Sequence, residues 1–488
     1  MTDDHAGLYP GFRAAALADP DAVAVVDHSM AATTYAGLLD AVDRATQSLD
    51  ERTRPGDVLG LAVDNPVAFL ALYLAAARLG RMTVLLDSAL PAAQLSRLSE
   101  RFDLTVLALD DPESAEPAGF ALHEADNADE HRARAADGYL PGDFVVHCTS
   151  GSTGEPKGIV MSQQAIDARV RLWAGDLELT SRDVVLCALP LSHCHGIDVL
   201  TLPTLLRGAT VVFARAGRLT GRGLARRIAQ SGVSVVSGLP ISYQLLTAAP
   251  SVSEADLDTL RLTISGSAPL PVSTQRLFQD RFHKPLRQVY GLSEIGVICY
   301  DRSYVGGGSV GLPVSGVEWR LEPRSARDTD GAPLCELYVR GPALARGYYR
   351  DPQAEAEMFE DGWLRTRDLL RAEPDGWYVR GRMSGFINVA GNKVGPLEVE
   401  SVLCECPGVR EAVVLGVPDE AGTERIAALI VADGALDLAE VRLTLGDRLR
   451  SYQLPQRYEI VPAIPRTALG KADYAAARRL LDATVAAR

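Results

Sequence analysis

Lys157 stands in the run Cys148-Thr149-Ser150-Gly151-Ser152-Thr153-Gly154-Glu155-Pro156-Lys157-Gly158, where nine of eleven residues are glycine, proline, lysine or hydroxyl-bearing. Glycines let a loop bend until several backbone N–H groups aim at one anion. Thr149, Ser150, Ser152 and Thr153 add hydroxyl donors, and Lys157 adds a compact positive charge. This is the chemistry of a phosphate cradle, and it suits a nucleoside triphosphate. The chain has only four lysines, Lys157, Lys284, Lys393 and Lys471, among 49 lysines and arginines. A chain that otherwise uses arginine and still places lysine here calls for a point charge rather than a planar fork. The loop is not the P-loop of nucleotide hydrolases, which needs glycine before its lysine and serine or threonine after it. Pro156 and Gly158 flank Lys157 instead, and the proline stiffens the tip.

Four further segments follow in order: Ser265-Gly266-Ser267-Ala268-Pro269, Gln288-Val289-Tyr290-Gly291-Leu292-Ser293-Glu294, Gly362-Trp363-Leu364-Arg365-Thr366-Arg367-Asp368 and Pro465-Arg466-Thr467-Ala468-Leu469-Gly470-Lys471. With the glycine loop they resemble the AMP-forming adenylating superfamily of acyl-CoA synthetases, luciferases and peptide-synthetase adenylation domains. The resemblance covers essentially the whole chain. It implies ATP as cofactor, with Thr149, Ser150, Gly151, Ser152, Thr153, Gly154 and Lys157 around the phosphates. Gly266, Ser267 and Ala268 would line the adenine and the acyl pocket. Tyr290 would lie against adenine beside Gln288, Val289 and Gly291, and Ser293 would place a hydroxyl near the α-phosphate. Glu294 would hold Mg²⁺, a hard ion that prefers carboxylate, water and phosphate oxygens. Asp368 would bind both ribose hydroxyls, since a carboxylate accepts more than one hydrogen bond, and Arg382 would also contact the ribose. Lys471 would be the catalytic lysine, stabilising charge that builds in the transition state.

The resemblance also carries departures. Gln288 replaces the usual asparagine, Ser293 the commoner threonine and Arg367 a glycine. Ser384-Gly385 stand where the family hinge is most often acidic. The hinge would pivot at Ser384, and Gly391 would let a pantetheine arm pass.

The acid pocket is sought around Pro190-Leu191-Ser192-His193-Cys194-His195-Gly196. By resemblance, His193 flanks the substrate carboxylate as a catalytic group. His195 falls where amino-acid-activating domains place an aspartate for the α-ammonium, so an ordinary α-amino acid is disfavoured. Asp198 stays open as a partner for an amino group placed differently. The same alignment puts Gly196, Val199, Ser237, Gly238, Thr263, Ser265, Val289, Val297 and Ile298 around the acyl group. That lining, small with several hydroxyls, favours a small or aryl carboxylic acid over a long fatty chain.

The implied reaction is activation of the acid to an acyl-adenylate with release of pyrophosphate, then transfer to a thiol. The acceptor is left open between coenzyme A and the phosphopantetheine of an acyl carrier protein. Transfer to an amine and a non-catalytic nucleotide-binding relative stand as alternatives.

These loops need elements to hold them. Residues 20–110 alternate short β-like runs with helix-like runs, an α/β pattern. Residues 110–141 read as an acidic, alanine-rich surface connection. From residue 143 short β-branched runs resume, as expected of parallel strands buried on both faces, and 303–345 read as a small β section. The expectation is an α/β fold: a large domain over 1–381 with mixed parallel sheets, helices and the β section, and a small mobile α+β domain over 382–488. The chain's 488 residues exceed one ordinary core. A formal net charge of −14 argues against nucleic acid or anionic membrane as partner. Ala68–Gly80 is apolar but too short for a membrane span. Seven scattered cysteines without zinc spacing suit reduced thiols and a cytoplasmic setting.

Overall fold

The computed structural model describes residues 7–111, 113, 119–149, 156–215, 220–328, 332–383, 385, 387–389, 392–418, 424–467 and 472–486. Two large sheets share the main hydrophobic core. The first, of nine strands, runs Leu312–Pro313, Gly296–Tyr300, Leu286–Leu292, Leu262–Ser265, Val235–Gly238, Val184–Cys187, Thr210–Phe213, Val23–Val26, Ala32–Thr34. From Leu286–Leu292 through Val23–Val26 every neighbouring pair is parallel. Parallel strands need covered faces, which suits their short, valine-rich and largely buried runs. The second sheet has seven strands: Gly347–Tyr348, Lys157–Ser162, Asp143–Thr149, Met82–Leu85, Val58–Ala62, Val106–Asp110, Phe120–Glu124.

Local chemistry sets the elements that matter for the site. The Asp143–Thr149 and Lys157–Ser162 strands form a hairpin whose last pair is Thr149 with Lys157. The glycine loop joins these two strands, which are paired on either side of it at Thr149 and Lys157. Ser162 then caps the next helix, Gln163–Asp176, by accepting the Ala165 N–H at 3.1 Å. The apolar 68–80 run lies in a buried helix, Pro66–Leu79, capped by Asn65 and ended by Gly80 in the left-handed conformation. Among the described residues no helix is long and apolar enough to cross a membrane.

One expectation fails locally. Residues 110–141, read as a surface connection, contain the strand Phe120–Glu124 and the helix Ala128–Gly138, which buries Ala128, His131 and Ala135. Its buried face is made of small and polar groups, so no apolar stripe marks it in the sequence.

The β section is a twisted sheet of Glu318–Arg327, Pro333–Arg340, Trp363–Ala372 and Phe359–Glu360, with Trp377–Arg382 added against Trp363–Ala372. Arg382 is still in register with Asp368, and the Met383 N–H donates to Arg367 O at 2.8 Å. Backbone pairing with this strand thus continues through Arg382 and Met383.

The small unit has a three-stranded sheet, Val409–Pro418, Glu424–Ala432 and Arg457–Ile460. Ile426, Ala428 and Ile430 face one core with the helices Pro396–Leu403 and Leu438–Arg448. Ala427, Leu429 and Val431 face the other, with Ala477 and Leu481 of the helix Tyr474–Ala486. Between these layers, Glu400 accepts the Val414 N–H at 2.8 Å and the Tyr474 hydroxyl at 3.4 Å. Burial pushes its carboxyl up to about 7. A carboxyl raised on folding contributes stability at low pH that is lost as pH climbs from the ordinary carboxylate value through about 7. Glu400→Gln keeps an acceptor for Val414 and removes the titration. Its thermal midpoint is expected to gain on wild type between pH 5 and pH 8; a gap independent of pH would refute this.

Candidate active site

The parallel strands of the nine-stranded sheet end together, and their carboxyl ends carry the motif loops. Gly238, Ser265 and Gln288 are register neighbours across three adjacent strands. The carboxyl edge of such a sheet is where α/β folds bind ligands. Here the loop at 266–270, the turn at 293–294 and residues 190–196 all leave that edge.

The residues expected at the phosphates start from the hairpin of Asp143–Thr149 and Lys157–Ser162. Lys157 Nζ lies 5.6 Å from the Tyr348 ring centroid. The Tyr349 N–H donates to Gly158 O at 2.8 Å, which keeps this edge strand beside the lysine. Tyr348 in turn donates its hydroxyl to Glu294 Oε1 at 2.5 Å, and burial with that carboxylate nearby drives its phenol far above the ordinary value. Of the cradle residues, Thr149 is placed, while Ser150, Gly151, Ser152, Thr153 and Gly154 lie outside the described residues. So do Lys471, Ser384 and Gly391.

Glu294 suits a hard cation. It is half-buried, and one oxygen is engaged by Tyr348. Among the described residues no cluster of three or more His, Cys, Asp or Glu could hold a metal by itself. One carboxylate completed by phosphate oxygens and water is the usual setting for Mg²⁺. Beside Glu294, Ser293 Oγ sits 3.4 Å from Cys194 Sγ.

The residues expected at the ribose form a three-residue cluster. Tyr290 donates its hydroxyl to Asp368 Oδ2 at 2.6 Å, and Arg382 Nε donates to Oδ1 at 2.8 Å. Burial pushes the Asp368 carboxyl up, opposed by Arg382 and by the Tyr290 hydrogen bond. Each oxygen retains a lone pair for a further donor. Gln288 turns the other way: its Oε1 accepts the Leu270 N–H at 3.1 Å and ties down the 266–270 loop.

Arg367, where the family carries glycine, has φ +61°. That left-handed conformation costs an ordinary residue about 1–2 kcal/mol, which accounts for glycine as the usual occupant. Arg367→Gly relieves this and adds chain entropy to the unfolded state. The net expectation is a gain of roughly 0.5–1 kcal/mol in denaturant unfolding; a loss of stability would show that the arginine side chain outweighs its backbone strain.

The acid pocket is organised by two histidines. His193 Nδ1 accepts the His195 N–H at 3.2 Å, so the neutral ring carries its proton on Nε2. His195 is 4% exposed, with Nδ1 2.7 Å from Ser267 Oγ and Nε2 2.9 Å from Ser237 Oγ. Both nitrogens meet hydroxyls. Gly196 follows because nothing larger fits: a Cβ there would lie 2.3 Å from Pro190 O. Gly266 faces the same pocket, where a Cβ would sit 2.6 Å from Val289 Cγ2 and 3.3 Å from His195 Cε1. His195–Thr201 form a π-helical turn, the wide winding often found at functional sites.

Not every expected lining residue is there. Val199, Val289 and Val297 belong to one core, but Ile298 is fully buried in another, beneath the β section. Thr263 spends its hydroxyl on Pro285 O at 2.7 Å. Ser265 is fully buried at its strand end, and its hydroxyl has no hydrogen-bond partner among the described residues. Asp198, left open as a partner for an amino group, is fully buried and paired with Arg169 Nη1 at 2.8 Å and His147 Nε2 at 3.0 Å. Sequence reasoning missed Arg169 and His147, which lie far apart in the chain and carry no local signal. Arg169 also donates to Ser293 O at 3.0 Å.

Comparison with known proteins agrees with this arrangement. Feruloyl-CoA synthase of Amycolatopsis sp is 32% identical over 488 residues, covering 96% of this chain and 98% of that protein. Among solved structures, ATP-bound MatB from Rhodopseudomonas palustris superimposes with a TM-score of 0.84 at 25% identity, covering 98% of this chain and 99% of the other. The amide bond synthetase McbA from Marinactinospora thermotolerans gives a TM-score of 0.79 at 26% identity, covering 96% and 99%. The model of the AMP-binding enzyme family matches residues 12–349, and that of the AMP-binding enzyme C-terminal domain matches 398–471. By these matches the chain belongs to the family of AMP-binding enzymes.

Proposed function

We propose that the protein is a cytoplasmic ATP-dependent ligase that activates a small or aryl carboxylic acid as an acyl-adenylate and passes it to coenzyme A. The observation that carries this reading is a continuous path of contacts. Lys157 lies over Tyr348, Tyr348 bonds Glu294, Ser293 touches Cys194, and the adjoining His195 bonds Ser237 and Ser267. The path joins a phosphate-binding hairpin to a carboxylate for a cation and then to a small, hydroxyl-lined pocket. Tyr290, four residues before Glu294, connects the same turn to the ribose cluster of Asp368 and Arg382.

The chemistry follows from that order. A carboxylate cannot expel oxide, so its oxygen must first bond the α-phosphorus of ATP while the bond to pyrophosphate breaks. Mg²⁺ at Glu294 would balance phosphate charge. His193 and the Ser293 hydroxyl supply donors at the reacting end, and Lys471 supplies the remaining positive charge from the small domain. A thiol then attacks the acyl carbon and AMP leaves. Feruloyl-CoA synthase at 32% identity favours a thiol acceptor and an aryl acid.

ATP–pyrophosphate exchange across a panel of aryl and small aliphatic acids tests the reading. Exchange with at least one acid, reduced about 10²–10³-fold in Lys471→Ala, is expected. The reading fails if no acid supports exchange, or if Lys471→Ala matches wild type. The likeness to an amide bond synthetase at 26% identity favours a second reading, in which an amine accepts the acyl group. Product analysis with coenzyme A, a phosphopantetheinylated carrier protein and simple amines, each offered alone, separates these acceptors.

A further inference from the structure

Beneath the site lies a buried polar cluster that the activation chemistry does not use directly. Arg169, on the helix Gln163–Asp176, is 4% exposed. Its Nη1 donates to Asp198 Oδ2 at 2.8 Å, and its Nη2 donates to Ser293 O at 3.0 Å and Ala343 O at 3.4 Å. The side chain rests on Gly296, which has φ +86°; a Cβ there would come within 2.9 Å of Arg169 Nε. Asp198 sits in the π-helical turn that begins at His195. His147, its other partner at 3.0 Å, is two residues before Thr149 on the strand that enters the phosphate hairpin. Burial would raise the Asp198 carboxyl, but His147 and Arg169 outweigh it and hold it below the ordinary value.

One ion pair therefore touches three parts of the site. The neighbouring backbone tightens the link, because the Ala345 N–H donates to Glu294 O at 2.7 Å. Arg169 holds the turn at Ser293, Ala345 holds it at Glu294, and Tyr348 holds the Glu294 carboxylate.

We propose that Arg169 is a positioning residue for acid activation: balanced by Asp198, it fixes the Ser293–Glu294 turn against the helical turn that carries His195 and the strand that feeds the phosphate hairpin. The proposal rests on the adenylation reading of the site. It assigns Arg169 no contact with substrate. It assigns Asp198 the task of keeping a fixed cation under the turn.

Lysine cannot reproduce this arrangement, since a single nitrogen cannot reach Asp198 and both carbonyls in the fork geometry of a guanidinium. Two variants make the test. Arg169→Lys keeps the charge beside Asp198. The double variant Arg169→Met with Asp198→Leu removes the pair together, and apolar replacement of a whole buried ion pair is commonly tolerated by the fold. Thermal unfolding reports the fold, and calorimetric ATP binding with and without Mg²⁺ reports the turn without needing turnover. Acid-dependent exchange reports KM for the acid and kcat.

Both variants are expected to fold and to bind ATP alone like wild type. Both are expected to lose about tenfold or more of the affinity that Mg²⁺ adds, as when groups supporting a metal ligand are removed. KM for the acid should rise with them. Folded variants with wild-type Mg²⁺ dependence and acid KM would overturn the proposal. So would loss of the fold in both, because the cluster would then hold the domain together rather than position the site. A wild type that gains nothing from Mg²⁺ would sink the underlying reading of the site as well, whereas variants identical to an active wild type would leave that reading intact.

Discussion

Glu294→Gln is expected to lower acid-dependent pyrophosphate exchange about 100-fold or more with little change in thermal midpoint. The substitution is nearly isosteric. Glutamine keeps an oxygen to accept the Tyr348 hydroxyl, a bond of 2.5 Å in the native protein, so the edge strand beside Lys157 stays in place. What is lost is a unit of negative charge where, on the proposed reading, a hard cation and the triphosphate would meet. Removing one electrostatic contact of this kind typically costs about 2.7–4 kcal/mol of transition-state stabilisation. The loss should be partly relieved by high Mg²⁺, because cation binding is weakened rather than abolished. Exchange measured over a Mg²⁺ titration decides the matter. A rate within threefold of wild type at every Mg²⁺ concentration would remove Glu294 from the metal site.

Gly196→Ala is expected to cut kcat/KM for the acid by about 100-fold while ATP affinity changes little. The added Cβ would meet Pro190 O at 2.3 Å and Leu189 O at 3.2 Å, both backbone atoms. Neither can swing aside as a side-chain end does. The helical turn must then retreat from the strand end, and it takes His195 with it. The two hydrogen bonds of His195 to Ser237 and Ser267 anchor that wall, so their loss opens the pocket where the carboxylate is oriented. A displacement of about 1 Å at a reacting centre is enough for an effect of this size. Calorimetric ATP binding separates it from general damage: a parallel loss of ATP affinity would mean that the substitution disrupts the whole edge of the sheet.

The parts of the site that were legible in the sequence are those whose chemistry is local. A glycine-rich loop, a carboxylate beside a hydroxyl, and an aspartate on a strand each declare themselves within a few residues. The short β-branched strands after residue 143, Thr210–Phe213 among them, were equally plain. What stayed hidden depends on distance or on geometry. Arg169, Asp198 and His147 come from three separated segments, and an arginine on a helix reads by default as solvated. Ile298 was placed in the pocket with Val297, although adjacent residues on a strand face opposite ways; the structure buries it under the other sheet. The helix Ala128–Gly138 escaped because its inward face is alanine and histidine rather than leucine.

The π-helical winding of His195–Thr201 bears on how this protein can change its substrate. Such a turn contains one more residue than an α-helix would need over the same rise. Deleting a residue inside it would let the segment relax to ordinary winding, while the following helix Leu202–Leu206 stays seated in the core. The residues on either side of the turn would then keep their orientation, and only those inside it would shift. The residues after His195 would be re-indexed against the pocket wall. Substitutions at this position can only exchange one side chain for another, whereas a single-codon deletion re-indexes the whole wall. Libraries that vary the length of 195–201, rather than its composition alone, should therefore reach acids that point mutants cannot.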